Sequence, residues 1–321
     1  MRKKKILLIL LIFFAFVFFN NTSLLVAPET AKPLLLAHRG LAQCFSMDGI
    51  TNSTDTSKRI FPPDHPFLEN TIASMAEAIK LGADIVEVDI QITKDEKVAV
   101  FHDHGLDYRT DASGQVRKYT MADLKKLDVG YGYSADGGKT FPFRGKGVGL
   151  MPELDEVLKR FPQTHFLIDV KSNDTIEGEV LARYLESLPK ERLESLKVYG
   201  GQRPLTVLKE KLPGLRVMSR ETLMKAITDY IAIGWTGYIP QSCRGAWLHI
   251  PVKYAPLLWG WPDKFMSRMK SVDTQIVLVA GDGKFSEGFD SPDALKQIPQ
   301  NFSGYIWTNR IDKIAPAVRK R

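Results

Sequence analysis

Cysteine is scarce in this 321-residue chain: only Cys44 and Cys243 occur, and no C-x-x-C pair exists. That excludes a thiolate metal site of the usual spacing and leaves one conceivable disulfide, Cys44 to Cys243, in an oxidising compartment. Internal repeats and low-complexity tracts are lacking as well. Net charge is nearly absent from the interior: Arg2, Lys3, Lys4 and Lys5 at one end and Arg319, Lys320 and Arg321 at the other account for the formal charge of +7. No basic stripe with interleaved aromatics runs through the chain, so nucleic acid is not an expected partner.

What is present is enough to fold. The composition, 44% hydrophobic and 25% charged, is close to that of an average globular protein and supplies a sizeable core. Behind the N-terminal basic cluster, residues 6–19 read ILLILLIFFAFVFF without interruption. This is the basic-then-apolar pattern of an export signal. The run is short for a bilayer span of about 20 residues, although Leu24 to Ala27 extend it across the polar Asn20 to Ser23. Three outcomes stay open: cleavage near Ala27–Pro28, retention as a membrane anchor, or a buried helix of a soluble protein. Positive charges before the apolar run hold the N-terminus inside and place the rest of the chain outside. The expected organisation is therefore a signal or anchor with a linker over 1–33, the linker falling around Pro28 to Pro33, and a catalytic domain over 34–321, exported and either tethered or released.

From Leu34 onward, short apolar runs alternate with amphipathic stretches, the mark of βα units and a parallel sheet. Strands are predicted at Leu34–Ala37, Ile85–Ile90, Val98–Phe101, His165–Lys171, Lys197–Tyr199, Arg216–Met218, Gly237–Ile239, Gln275–Ala280 and Gly304–Trp307, one of them accessory. Helices are predicted over 71–83, capped by Asn70 and ended by Gly82, and near 121–127, 152–160, 175–187, 204–212, 221–231, 262–272 and 292–298. The count favours an α/β fold of the single TIM (β/α)8 barrel type over an open doubly wound sheet. Two connections, Leu41 to Leu68 and Ser242 to Trp261, are too long for simple turns and are expected to shape a pocket. The second carries Trp247, Trp259 and Trp261, placed here on an active-site rim or packed against the barrel.

Four clusters carry chemistry. His38-Arg39-Gly40 ends a strand with a titratable imidazole, a phosphate-binding fork and a flexible position; alone it would also suit a surface turn. In IVEVDIQI, Glu87 and Asp89 alternate onto one face, into the barrel if Val86, Val88 and Ile90 face the helices. Two such carboxylates are costly unless a cation joins them, and hard oxygen ligands suit Mg²⁺ or Ca²⁺. His102-Asp103 follows another strand and supplies a second imidazole, giving the pair that proton transfer in a hydrolase needs. Asp169 and Lys171 share a face of FLIDVK, the first a candidate third metal ligand and the second a cation for a phosphate oxygen; a plain ion pair is the alternative. His104, adjacent to His102, competes for the same assignment, whereas His65, His165 and His249 read as structural or incidental.

In order along the chain, AHRG, LENT and EVDIQITKDEKVAVFHD resemble the signature of the glycerophosphodiester phosphodiesterase family. The likeness covers Leu34 to Lys171 well and the remainder only in its barrel-like rhythm. It implies a TIM barrel, a divalent cation held by Glu87 and Asp89, acid and base roles for His38 and His102, phosphate binding by Arg39, and a bracing role for Glu69. The substrate it implies is a glycerophosphodiester, cleaved to glycerol 3-phosphate and an alcohol. Asp169 departs from the family, which usually has glutamate there, and LENT lacks the usual proline and lies far from His38. Trp307-Thr308-Asn309 resembles a tryptophan-bearing box of these enzymes and is assigned to the closing strand without a catalytic role. A phospholipase acting on intact lipid and a non-catalytic barrel are the rival readings. Head group, preferred metal and oligomeric state are not encoded legibly.

Overall fold

The computed structural model describes residues 2–27, 31–51, 53–285 and 287–320. The expected linker and the Ala27–Pro28 junction thus lie partly outside the described residues, at Pro28, Glu29 and Thr30. Two compact units are present, a larger one of Leu35–Ser219 with Thr308–Pro316, and a smaller one of Met1–Leu34, Arg220–Trp307 and Ala317–Arg321.

The larger unit is built on five parallel strands: β1 (Leu34–Ala37, less its first residue), β2 (Ile85–Ile92), then after the short β3 (Val98–Val100) come β4 (His165–Val170), β5 (Leu196–Gly200) and β6 (Arg216–Ser219). They lie in the order β6-β5-β4-β2-β1, and β3 pairs antiparallel with β2 as the accessory strand. Every residue of β2 is buried, as expected for a strand covered on both faces. Helices α2 (Ile72–Leu81), α3 (Met121–Leu124), α4 (Leu154–Arg160), α5 (Thr175–Glu186), α6 (Lys190–Glu194) and α7 (Gln202–Lys211) connect them. A satellite core of Leu106, Val116, Leu124, Tyr133, Phe143 and Met151 fills the long excursion after β3.

Helix α2 shows how local sequence sets a boundary. Thr71, rather than the expected Asn70, is its N-cap: the Thr71 hydroxyl accepts from Ser74 N, Ser74 reciprocates, and Gly82 ends the helix at φ 100°. The side chain of Asn70 is thereby released for another purpose.

The smaller unit holds α1 (Arg2–Asn21), α8 (Arg220–Ile233), β7 (Trp247–Pro251), α9 (Asp263–Ser271), β8 (Gln275–Val279) and β9 (Tyr305–Thr308, less its last residue), with β7, β8 and β9 paired parallel in that order. Helix α10 (Ile311–Arg319), whose residues up to Pro316 belong to the larger unit, is not expected from the sequence because Pro316 lies inside it. Two expectations are corrected here. The strand predicted at Gly237–Ile239 is instead a turn after a 3₁₀ segment, Gly234–Thr236, with Gly237 at φ 88°. The strand lies in the supposed long loop, at Trp247–Pro251. Trp247 is accordingly a core residue, 1% exposed, not a rim residue. Its indole donates to His249 Nε2 at 2.8 Å, an arrangement open only to neutral imidazole, and burial pushes the His249 pKa down to about 3.

No Cys44–Cys243 bridge forms: Cys243 is a buried thiol donating to the Ala226 carbonyl at 3.3 Å, and burial raises its pKa to about 11.

Candidate active site

All the singled-out residues fall in the larger unit, and strand register explains why. Asp89 in β2 is level with Asp169 in β4, which is level with Tyr199 in β5. Neighbouring parallel strands lie about 4.8 Å apart, so these three side chains stand in a row on one face. Glu87 is two residues earlier on the same face. Glu87, Asp89 and Asp169 each offer a carboxylate oxygen within 4.8 Å of the others, and all three are buried. Tyr199, which sequence reading missed, donates to Glu87 Oε1 at 2.8 Å.

His38 and Arg39 follow β1. The His38 amide donates to the Thr308 carbonyl at 2.9 Å, and this brings Asn309 alongside, its Oδ1 2.7 Å from His38 Nδ1. The amide oxygen can only accept, so Nδ1 carries the proton and Nε2, 3.8 Å from Glu87 Oε2, holds the lone pair. Arg39 adopts φ 57° and Asn70 φ 59°. Left-handed backbone at two non-glycine residues is strain of a kind that clusters at functional sites. Here it turns the Arg39 amide onto Glu87 Oε2 at 3.0 Å and its guanidinium between Asp89, at 3.1 Å, and Glu69, at 3.0 Å. Asn70 donates to Asp89 Oδ2 at 2.7 Å and accepts from the Asp89 amide at 3.2 Å.

Gly40 makes the turn possible. It sits at φ 80°, and a Cβ there would lie 2.7 Å from Ser74 Oγ and 2.8 Å from Met75 N. Gly40→Ala is expected to destabilise the fold by about 2–4 kcal/mol. A urea midpoint within error of the wild type would contradict this close packing.

His102 follows β3. Its Nδ1 donates to Asp103 Oδ1 at 2.6 Å, again leaving Nε2 as the unprotonated nitrogen. Asp103 in turn pairs with Arg109, a residue sequence reading missed, which also reaches Glu69 at 3.3 Å, Tyr133 at 3.0 Å and Thr56 at 2.9 Å. Glu69 thus joins Arg39 to Arg109. The 41–68 segment is tied to this network through Thr56, and through Ser57, which bonds the Tyr108 carbonyl at 2.9 Å. Lys171 lies 2.9 Å from Asp169 and 3.3 Å from Asp89.

The electrostatics are uneven by design of the neighbourhood. Burial, with Asp89 and Asp169 close by, raises the Glu87 carboxyl well above its usual range. Asp89 is equally buried, yet Arg39 and Lys171 hold it well below. Burial, reinforced by Arg39, keeps His38 well below its ordinary value, and burial with Arg39 and Lys171 lowers His102 to about 4. Five carboxylates (Glu69, Glu87, Asp89, Asp103, Asp169) face three permanent cations (Arg39, Arg109, Lys171). With all five ionised the deficit is two positive charges, which one divalent ion would balance; without an ion the raised Glu87 carboxyl lessens it. Asp89 Oδ1 is buried and accepts no hydrogen bond, and the Lys171 ammonium lies 3.3 Å from it as an ion-pair partner. The donor set, oxygen only, suits Mg²⁺ or Ca²⁺.

Comparison with known proteins fixes the class. A glycerophosphoryl diester phosphodiesterase domain from Mycobacterium tuberculosis superposes with TM-score 0.65 at 15% identity, covering 90% of this chain and 100% of that one. A glycerophosphodiester phosphodiesterase from Thermotoga maritima gives 0.56 at 20%, covering 91% and 100%. At such identities the likeness speaks for the fold alone, an α/β protein of the TIM (β/α)8 barrel type with an N-terminal apolar helix. The model of the glycerophosphoryl diester phosphodiesterase family matches residues 38–227, and the chain belongs to that family. A glycerophosphodiester phosphodiesterase of Bacillus subtilis is 41% identical over 129 residues, 39% of this chain and 42% of that protein. A lysophospholipase D of Homo sapiens is 33% identical over 137 residues, 41% and 40%. The chain spans under half the length of these relatives.

Proposed function

We propose that the chain hydrolyses glycerophosphodiesters to glycerol 3-phosphate and an alcohol, with residues 34–321 as its catalytic barrel. The carrying observation is that one unit brings together an oxygen-donor triad, an arginine and two neutral imidazoles that each present Nε2. The family match and the Bacillus subtilis relative support the substrate class.

In this reading Glu87, Asp89 and Asp169 hold a divalent cation, which when bound draws charge from the phosphoryl oxygens. Arg39 and Lys171 orient the phosphate and offset the charge that builds on it. His38, backed by a neutral amide, takes the proton from the attacking oxygen. His102 is backed by the Asp103 carboxylate, which stabilises its charged form, and it delivers a proton to the leaving alkoxide. A phosphate in the site offsets Arg39 and Lys171, the two cations that add to burial in holding His102 low, and so eases that protonation. Glu69 and Arg109 keep Arg39 and His102 in place. Phe101, Leu150 and Met151 present apolar surface beside His102.

A phosphodiester panel tests this. Turnover of glycerophosphodiesters is expected to vanish in chelator and return with Ca²⁺ or Mg²⁺; turnover of none of them with either ion overturns the proposal. The apolar α1 and the human relative favour a second reading, hydrolysis of lysophospholipids, which faster turnover of lysophospholipid in vesicles would establish. Export and membrane attachment through α1 belong to the same proposal.

A further inference from the structure

Helix α1 is long and apolar enough to cross a membrane, and its apolar stretch is exposed along almost its whole length. Its C-terminal end, in contrast, is set in a polar socket of the smaller unit. Asn20 and Asn21 both donate to the Trp235 carbonyl, at 3.0 and 2.8 Å. Arg268, 7% exposed, donates to the Asn20 carbonyl at 2.8 Å and to Asn21 Oδ1 at 3.0 Å, besides Tyr230 and the Gly234 carbonyl. Ser23 Oγ donates to the Gly260 carbonyl at 3.1 Å and accepts from the first amides of α9, Asp263 and Lys264, at 3.2 and 3.3 Å. Further up the helix, Phe13 packs edge-on against Trp235, centroids 5.5 Å apart.

A leader meant for removal, or a loose tether, has no use for a buried arginine committed to its last turn. The socket also eases a length problem. Residues 6–19 rise about 21 Å as a helix, short of a hydrocarbon core of about 30 Å. Because the polar groups of Asn20 and Asn21 are bonded to protein, the helix can sink to its very end. The surface beside it then meets the headgroups: Ile231 and Ile233 are 42% and 40% exposed, Leu24 and Leu25 85% and 69%, and Trp235 and Trp259 are half-buried with indole nitrogens bonded to backbone carbonyls. Tryptophan with neighbouring aliphatics is the composition of a membrane–water boundary.

We propose that α1 is a retained, rigidly docked anchor and that Ile231, Ile233, Trp235, Trp259, Leu24 and Leu25 form a collar in contact with a lipid bilayer. The full chain, reconstituted in phosphatidylcholine–phosphatidylglycerol vesicles with acyl chains brominated near the headgroup, tests it through tryptophan fluorescence. Two of the five tryptophans belong to the collar, so shallow bromines are expected to remove up to about two-fifths of the emission. Trp235→Phe with Trp259→Phe abolishes that loss while turnover in detergent stays normal. Should the double variant fail to fold, Trp235→Phe alone should reduce the loss by about half. Absence of shallow quenching, quenching indifferent to these substitutions, or a mature protein found only without its first 27 residues overturns the proposal.

Discussion

Replacing Glu87 with glutamine is expected to lower kcat/KM for a glycerophosphodiester at least about 10³-fold, the scale of several kcal/mol of charge stabilisation lost from the transition state. The side chain keeps its shape and loses only its charge, so the defect should separate from folding. Saturating Ca²⁺ or Mg²⁺ should stabilise the wild type, by about 2.7 kcal/mol at a hundredfold excess over Kd, and the variant hardly at all. Without a cation the sign reverses. Burial raises the Glu87 pKa, with Asp89 and Asp169 adding to it. A raised carboxyl contributes its stability below its unfolded value, about 4.3, and loses it as pH rises through the folded value. At pH 7 in chelator, Glu87 is therefore a burden, and the variant should melt no lower than the wild type. Near-normal turnover in the variant, or cation stabilisation equal to the wild type's, would remove this triad from the mechanism.

His38→Ala and His102→Ala are each expected to cost about 10²–10⁴-fold in turnover of natural substrates, and the leaving group tells them apart. Para-nitrophenolate departs without a proton, so a para-nitrophenyl phosphodiester makes the general acid dispensable. The His102→Ala defect should shrink at least about tenfold on that substrate, whereas the His38→Ala defect should persist. Equal defects on both substrates would contradict the division of roles in which Asp103 equips His102 as the acid and Asn309 keeps His38 neutral.

Much of this site is legible in sequence because strand alternation is a rigid rule. The period of two puts Glu87 and Asp89 on one face, and both are fully buried. His38, His102 and Asp169 are legible for a similar reason, each lying at or near a strand end. Tyr199, Asn70, Asn309 and Arg109 were not, because each acts through a contact made far along the chain. Asn309 reaches His38 only through the pairing of His38 with Thr308. Asn70 looked like a helix cap and is freed from that task by Thr71. In the fold, the strand expected at Gly237–Ile239 lies instead at Trp247–Pro251, where the Trp247 indole finds its hydrogen-bond acceptor two residues away in the same strand.

Thr56 holds Arg109, Arg109 holds Asp103, and Asp103 holds His102. The segment over 41–68 is therefore wired to the imidazole assigned the acid role, not merely draped near it. If His102 is the acid, a substitution in that stretch reaches proton delivery through these three contacts without touching the substrate.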